Sequence, residues 1–158
     1  MNSRSIATLR LARAADVPTL AAMSRDLIES GLDWRYTPGR LTRQMFDPDT
    51  VAVGACEGSH LQGFAVMKFG ELDAHLMLLC VEQQQQRRGI GRQLMQWLLQ
   101  SARVAGTVEI ALELRADNAT AEAFYRQLGF VPTQLRRGYY DGRVDARCML
   151  LRLGPQPA

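Results

Sequence analysis

The chain has 158 residues, 47% of them apolar, enough for one buried core, and it carries a net charge of only +3. That charge is small for a surface that must neutralise several phosphates together, and no basic cluster is interleaved with aromatics, so direct nucleic-acid binding is not expected. No apolar run is long enough to span a membrane, MNSRSIATLRL lacks the apolar stretch of a signal peptide, and Cys56, Cys80 and Cys148 form no CxxC pair, which argues against a disulfide framework or zinc site and fits a cytoplasmic protein.

In chain order, Ala7, Leu9 and Leu11 alternate with Thr8 and Arg10, the pattern of a half-buried first strand. Asp16 then caps a helix with Pro18 in its first turn. Val17, Leu20, Ala21, Leu27 and Ile28 form its apolar face, and Gly31 ends it. Residues 32–39 read as a loop. Trp34 there either plugs the core or, with Tyr36, lines a substrate mouth, and the plug is the favoured reading. Arg40–Phe46 reads as a short helix stopped before Pro48. Val51–Glu57, Leu61–Phe69 and Ala74–Val81 read as three strands joined at Gly58-Ser59 and at Gly70–Asp73.

Polar Gln83–Arg88 follows, then Gly89 and Gly91. From Ile90 the apolar residues Leu94, Leu98 and Ala102 recur every fourth position, with Met95 and Leu99 beside them, so an amphipathic helix starts at the glycines and fades at Gly106. Val108–Arg115 alternates again, with Ile110, Leu112 and Leu114 on one face and Glu109, Ala111, Glu113 and Arg115 on the other. Asn118 caps a helix that carries Ala121, Phe124 and Leu128 on its core stripe and stops at Gly129. Phe130–Arg137 and Arg143–Leu153 are the last two strands. Residues 1–153 are expected to form one domain, and 154–158 a loose tail. The order is β-α-α-β-β-β-α-β-α-β-β, a mixed α/β chain in which an antiparallel meander feeds a βαβ unit.

The glycine turn carries chemistry. A helix start leaves about four backbone N–H groups without partners and bears partial positive charge. Glycines let an anion approach that backbone, and Arg87, Arg88 and Arg92 add charge, so the site suits a phosphate or pyrophosphate. The Lys-Ser/Thr of a P-loop and the third glycine of a dinucleotide fingerprint are both missing. On the turn alone, a surface helix with solvated arginines explains the same residues. His60 and His75 are too few and too isolated to suggest a metal centre.

Several segments together carry a resemblance. Gln86-Arg87-Arg88-Gly89-Ile90-Gly91 resembles the Q/R-x-x-G-x-G/A motif of the GNAT superfamily of acetyl-CoA-dependent N-acetyltransferases. Asn118-Ala119-Thr120-Ala121 with Phe124-Tyr125 and Leu128-Gly129-Phe130 resembles that family's segment after the fifth strand. Leu112–Arg115, Arg136–Tyr140 and Asp145-Ala146 are similar to the RimI-like branch, the ribosomal-protein N-terminal alanine acetyltransferases. The detailed match runs from Leu76 to Leu153, and residues 1–74 match in architecture only. Glu82–Gln85 lacks the proline that often follows the fourth strand in that branch, and Gly31–Gly39 shows none of its pattern.

The resemblance implies a GNAT fold, its mostly antiparallel sheet splayed between strands 4 and 5. It implies acetyl-CoA as donor and a primary amine as acceptor, a protein or peptide N-terminal α-amine, with direct attack in a ternary complex. It makes Glu113 the base and Tyr125 the acid. Leu79, Cys80 and Val81 would run beside pantetheine, with the Val81 N–H as oxyanion donor. Gln86, Arg87, Arg88, Gly89, Ile90, Gly91 and Arg92 would hold the pyrophosphate, and Asn118 the pantetheine arm. Tyr139 and Tyr140 either border the acceptor site or fill a hairpin. A monomer or homodimer without membrane attachment is expected. The alternatives are an acetyltransferase for a polyamine or aminoglycoside, and a coenzyme A-binding module without catalysis.

Overall fold

A computed structural model describes residues 7–154. Residues 1–6 and residues 155–158 of the expected tail lie outside the described residues. Seven strands form one sheet in the order β1-β2-β3-β4-β5-β7-β6. They are β1 Thr8–Leu11, β2 Thr50–Glu57, β3 His60–Phe69, β4 Asp73–Val81, β5 Glu109–Arg115, β6 Val131–Tyr140 and β7 Val144–Arg152. The helices are α1 Val17–Met23, α2 Pro38–Met45, α3 Ile90–Ala105 and α4 Ala119–Gln127.

The expected element order holds, and several local readings change. Ala7, just before β1, is buried, but Leu11 at the sheet edge is 60% exposed. Asp16 stands at the α1 N-cap position, but its carboxylate accepts from Arg13 N–H and pairs with Arg10 rather than capping the helix amides. After α1 the chain makes a π turn over Ser24–Ile28, closed by Glu29 N–H donating to Ser24 C=O. The wider turn rotates the apolar stripe, so Leu27 leaves the core and is exposed. Pro38 and Gly39 belong to α2 and not to a loop, because Thr37 Oγ1 caps at Arg40 N–H and proline suits the first helical position.

Two cores lie on opposite faces of the sheet. One packs Leu94, Met95, Leu98 and Ala102 of α3, and Tyr125 of α4, against Met67, Leu76, Ile110 and Leu112. The other packs Val17, Leu20 and Leu41 from α1 and α2 against Phe64, Val66, Leu78 and Cys80. Strand β4 contributes to both cores through side chains of the same parity. The β3–β4 register explains this: Val66 faces Leu78, but Met67 faces Leu76, which leaves Met77 as a bulge. Below the bulge Ala74 and Leu76 point to the α3 side; above it Leu79 and Val81 do.

The parallel β4–β5 ladder has three pairs, Asp73 with Glu109, Ala74 with Ile110, and His75 with Ala111. Beyond His75 the two strands diverge, which is the expected splay. β7 enters between β5 and β6, and its ladder with β5 runs from Glu109↔Arg152 to Arg115↔Ala146.

Candidate active site

The splay opens a cleft of about 1420 Å³ that passes through the sheet. One side is lined by Gly89–Arg92 at the start of α3 and by Phe124 and Tyr125 of α4. The other is lined by Glu29, Tyr36, His75, Glu113, Tyr139 and Tyr140.

On the α3 side, the turn before the helix holds two left-handed residues, Arg87 at φ 66° and Gly89 at φ 84°. Gly89 is the α3 N-cap, a conformation glycine adopts without the steric cost that a Cβ brings. Ile90 buries its side chain in the core, so only its N–H is left for a ligand. Gly91 faces α4, where a Cβ would come into ordinary contact with the Phe124 ring at 3.4 Å. The Gln86 side-chain amide donates to Val81 C=O at 3.1 Å and ties the loop to the end of β4. Arg87 and Arg92 line the cleft. Arg88 does not; it reaches toward Gln85 at 3.4 Å.

Leu79, Cys80 and Val81 line the cleft at the diverging end of β4. The Cys80 side chain turns into the α1 core, where burial pushes its thiol up to about 12, so it offers backbone and not a nucleophile. Asn118 lines the cleft as well. Its Oδ1 caps α4 by accepting from Ala121 N–H at 3.1 Å.

Tyr125 is the buried residue of α4, where the apolar stripe pointed to Ala121, Phe124 and Leu128. Gly129 reverses the chain, so Phe130 N–H donates to Tyr125 C=O and the Phe130 ring meets Tyr125 edge-on at 5.6 Å. Phe124 also meets the Tyr125 ring edge-on, at 5.2 Å. Burial holds the Tyr125 phenol well above its ordinary range, so it keeps its proton at any physiological pH.

Glu113 points to the opposite face from Leu112 and Leu114, and its carboxylate meets His75, with Oε2 2.5 Å from Nε2. It does not pair with Arg115, which donates to Ser30 C=O at 2.7 Å. The neighbouring carboxylate raises the affinity of the His75 ring for a proton. His75 is half-exposed, and the β4–β5 register sets it opposite Ala111, two residues before Glu113 on the same face of β5.

The side of the cleft that carries Glu113 is roofed by a loop that has no legible pattern in the sequence. Glu29, 7% exposed, accepts from Ser24 Oγ, Arg35 N–H and Tyr36 N–H. Asp141 accepts from Asp33 N–H at 2.8 Å and Arg35 Nη2 at 2.7 Å, which hold its carboxyl below the usual range. Residues 29–36 are thereby clasped to the turn between β6 and β7. Trp34 is not a core plug: it is 38% exposed, with the Arg25 guanidinium 5.3 Å from its ring. Tyr36, Tyr139 and Tyr140 all line the cleft. Among the described residues no cluster of His, Cys, Asp or Glu is arranged to hold a metal ion, and no helix is long and apolar enough to cross a membrane.

The Acetyltransferase (GNAT) domain family matches residues 20–144. The chain is 37% identical over 98 residues to the [Ribosomal protein bS18]-alanine N-acetyltransferase of Escherichia coli strain K12. That alignment covers 60% of this chain and 66% of that protein, so the chain spans just under two thirds of that relative's length. It is 36% identical over 132 residues to the N-alpha-acetyltransferase RimI of Mycobacterium tuberculosis, covering 80% of this chain and 79% of that one. Among solved structures, the ribosomal-protein-S18-alanine N-acetyltransferase from Escherichia coli superposes with a TM-score of 0.82 at 25% identity, over 95% of this chain and 96% of that one. The chain belongs to the GNAT acetyltransferase family.

Proposed function

We propose that the chain, acting as one domain over residues 1–153, transfers the acetyl group of acetyl-CoA to the α-amine of a protein or peptide N-terminus in the cytoplasm. The observation that supports this most is the cleft through the sheet, with helix-start amides at one side and the Glu113 carboxylate at the other. Acetyl-CoA supplies an activated acyl group; this chain's residues place it and manage protons. The amides from Gly89 to Arg92, with Arg87 and Arg92, suit the pyrophosphate. The β4 backbone from Leu79 to Val81 has no β5 partner there and is free to run along pantetheine, with the Val81 N–H as oxyanion donor. Asn118 reaches the same arm. Glu113 removes a proton from the acceptor, and Tyr125 gives one to the leaving thiolate.

A peptide fits better than a polycation. A polyamine needs free carboxylates, and those near the rim face arginine or backbone donors: Asp141 pairs with Arg35 and Arg143, exposed Asp33 lies 3.9 Å from Arg143, and Asp145 accepts from Gly138 N–H. An α-amine also suits a weak base, since its pKa near 8 leaves about one molecule in ten neutral at pH 7, against fewer than about one in a thousand for lysine. Peptides with free or blocked N-termini, some containing lysine, are incubated with acetyl-CoA and read by mass spectrometry. Acetyl is expected on free α-amines. Acetyl only on lysine, or only on an added polyamine, overturns the reading.

The phosphate placement has its own test. Gly89→Val puts a β-branched residue at φ 84° and a side chain beside the amides, so acetyl-CoA affinity is expected to fall at least tenfold, about 1.4 kcal/mol. Calorimetry that gives unchanged affinity in a folded variant places the pyrophosphate elsewhere.

A further inference from the structure

We propose that Glu113 does not work alone: His75 and Glu113 form one paired base, in which the imidazole comes to hold the proton taken from the acceptor amine and releases it to solvent. The inference rests on the acetyl-transfer reading above and concerns how its base functions.

A lone carboxylate is a poor match for the task. Its ordinary pKa of about 4.3 makes it a weak proton acceptor at neutral pH, whereas an effective base titrates near the working pH. Glu113, 19% exposed at its side chain, opens on the cleft beside a second titratable group. His75 Nε2 lies 2.5 Å from Glu113 Oε2, leaving Oε1 to meet an amine or a water. Two groups this close titrate as a unit, and the first proton bound belongs to the pair. A proton delivered to the carboxylate is best held as imidazolium beside carboxylate, so the pair accepts protons with the affinity of a histidine strengthened by a neighbouring anion. His75 is 44% exposed at its side chain, which provides the exit to water.

The surroundings leave the pair as the titrating unit. On β4, Asp73 strengthens proton binding at His75, and Arg136 from β6 opposes it. Lys68 of β3, the register partner of His75, points its ammonium to Asp47 at 3.5 Å. On β5, Arg115 is held by Ser30 C=O and Asp117. Cys148 of β7, opposite Glu113, is buried. Tyr36, Tyr139 and Tyr140 are all raised above the ordinary tyrosine range and stay neutral where histidine titrates.

The protons balance. An acceptor entering as ammonium gives one N–H proton to the pair, which passes it from His75 to water. The freed nitrogen lone pair forms the C–N bond and the C–S bond breaks. The second N–H proton replaces the one that Tyr125 gives to the sulfur. The products are the amide, the free thiol and one proton in solution.

The test is the pH profile of kcat at saturating peptide and acetyl-CoA, where titration of the free peptide drops out. The acidic limb of the wild-type enzyme is expected at or above about 6.5, histidine's ordinary value. His75→Gln keeps a hydrogen bond to the carboxylate and cannot titrate, so the limb is expected to move about two units down, toward the carboxylate range. His75→Ala is expected to move it likewise. Thermal melting and acetyl-CoA binding show whether each variant is folded. Independently, the His75 ring is titrated by NMR in the wild type and in Glu113→Gln; its pKa is expected above about 6.5 and lower in the variant. An unmoved limb in folded His75 variants, or a His75 pKa indifferent to Glu113→Gln, overturns the pair while leaving acetyl transfer intact. No thiol release with any peptide or polyamine overturns the acetyl-transfer reading, and the base role with it.

Discussion

Tyr125→Phe is expected to lower kcat by about 10²-fold or more, close to 2.7 kcal/mol in the barrier, while acetyl-CoA affinity stays near its original value. The ring is fixed by Phe124 and Phe130 at 5.2 and 5.6 Å, and phenylalanine keeps both edge contacts. The change is therefore confined to the hydroxyl. Burial keeps that hydroxyl protonated, the state required of a group that gives a proton to a departing thiolate. Without it the thiolate must leave unprotonated or draw on water. Steady-state kinetics together with a binding isotherm separate the two quantities. A variant that turns over at the wild-type rate makes Tyr125 a packing residue only.

Glu113→Gln is expected to lower kcat on the order of 10²-fold at pH 7 and to leave acetyl-CoA binding unchanged. Glutamine nearly matches the shape of glutamate and still offers an oxygen to His75, so the local packing is kept. The turn at Gly89–Arg92, where the pyrophosphate is proposed to bind, lies on the other face of the sheet, which is why binding is expected to be spared. The defect is expected to shrink as pH rises from 7 to 9, because an α-amine with a pKa near 8 then arrives neutral and needs the base less. Peptide turnover measured across that range decides the matter. A defect that stays constant with pH assigns Glu113 to positioning the acceptor, and full activity assigns it to structure alone.

Much of this molecule is local and was legible in one dimension. The fourfold spacing from Ile90 to Ala102 makes α3, and Gly89 and Gly106, both left-handed, bound it. The alternation in β5 separates Glu113 from Leu112 and Leu114, and Asn118 and Gly129 bracket α4. Each of these depends on neighbours a few residues away, where propensity, capping and side-chain period act directly. Tertiary structure decided what distant segments do to one another. The bulge at Met77 sends Leu76 and Leu78 of one strand into different cores, and no alternation rule anticipates it. His75 looked isolated because its partner, Glu113, is 38 residues away and is reached only through a three-residue parallel ladder. Asp141 holds Asp33 across 108 residues and fixes the loop over the Glu113 side of the cleft, in a stretch with no recognisable pattern of its own. A strand's period determines which face a side chain occupies; strand pairing and register determine what it meets there.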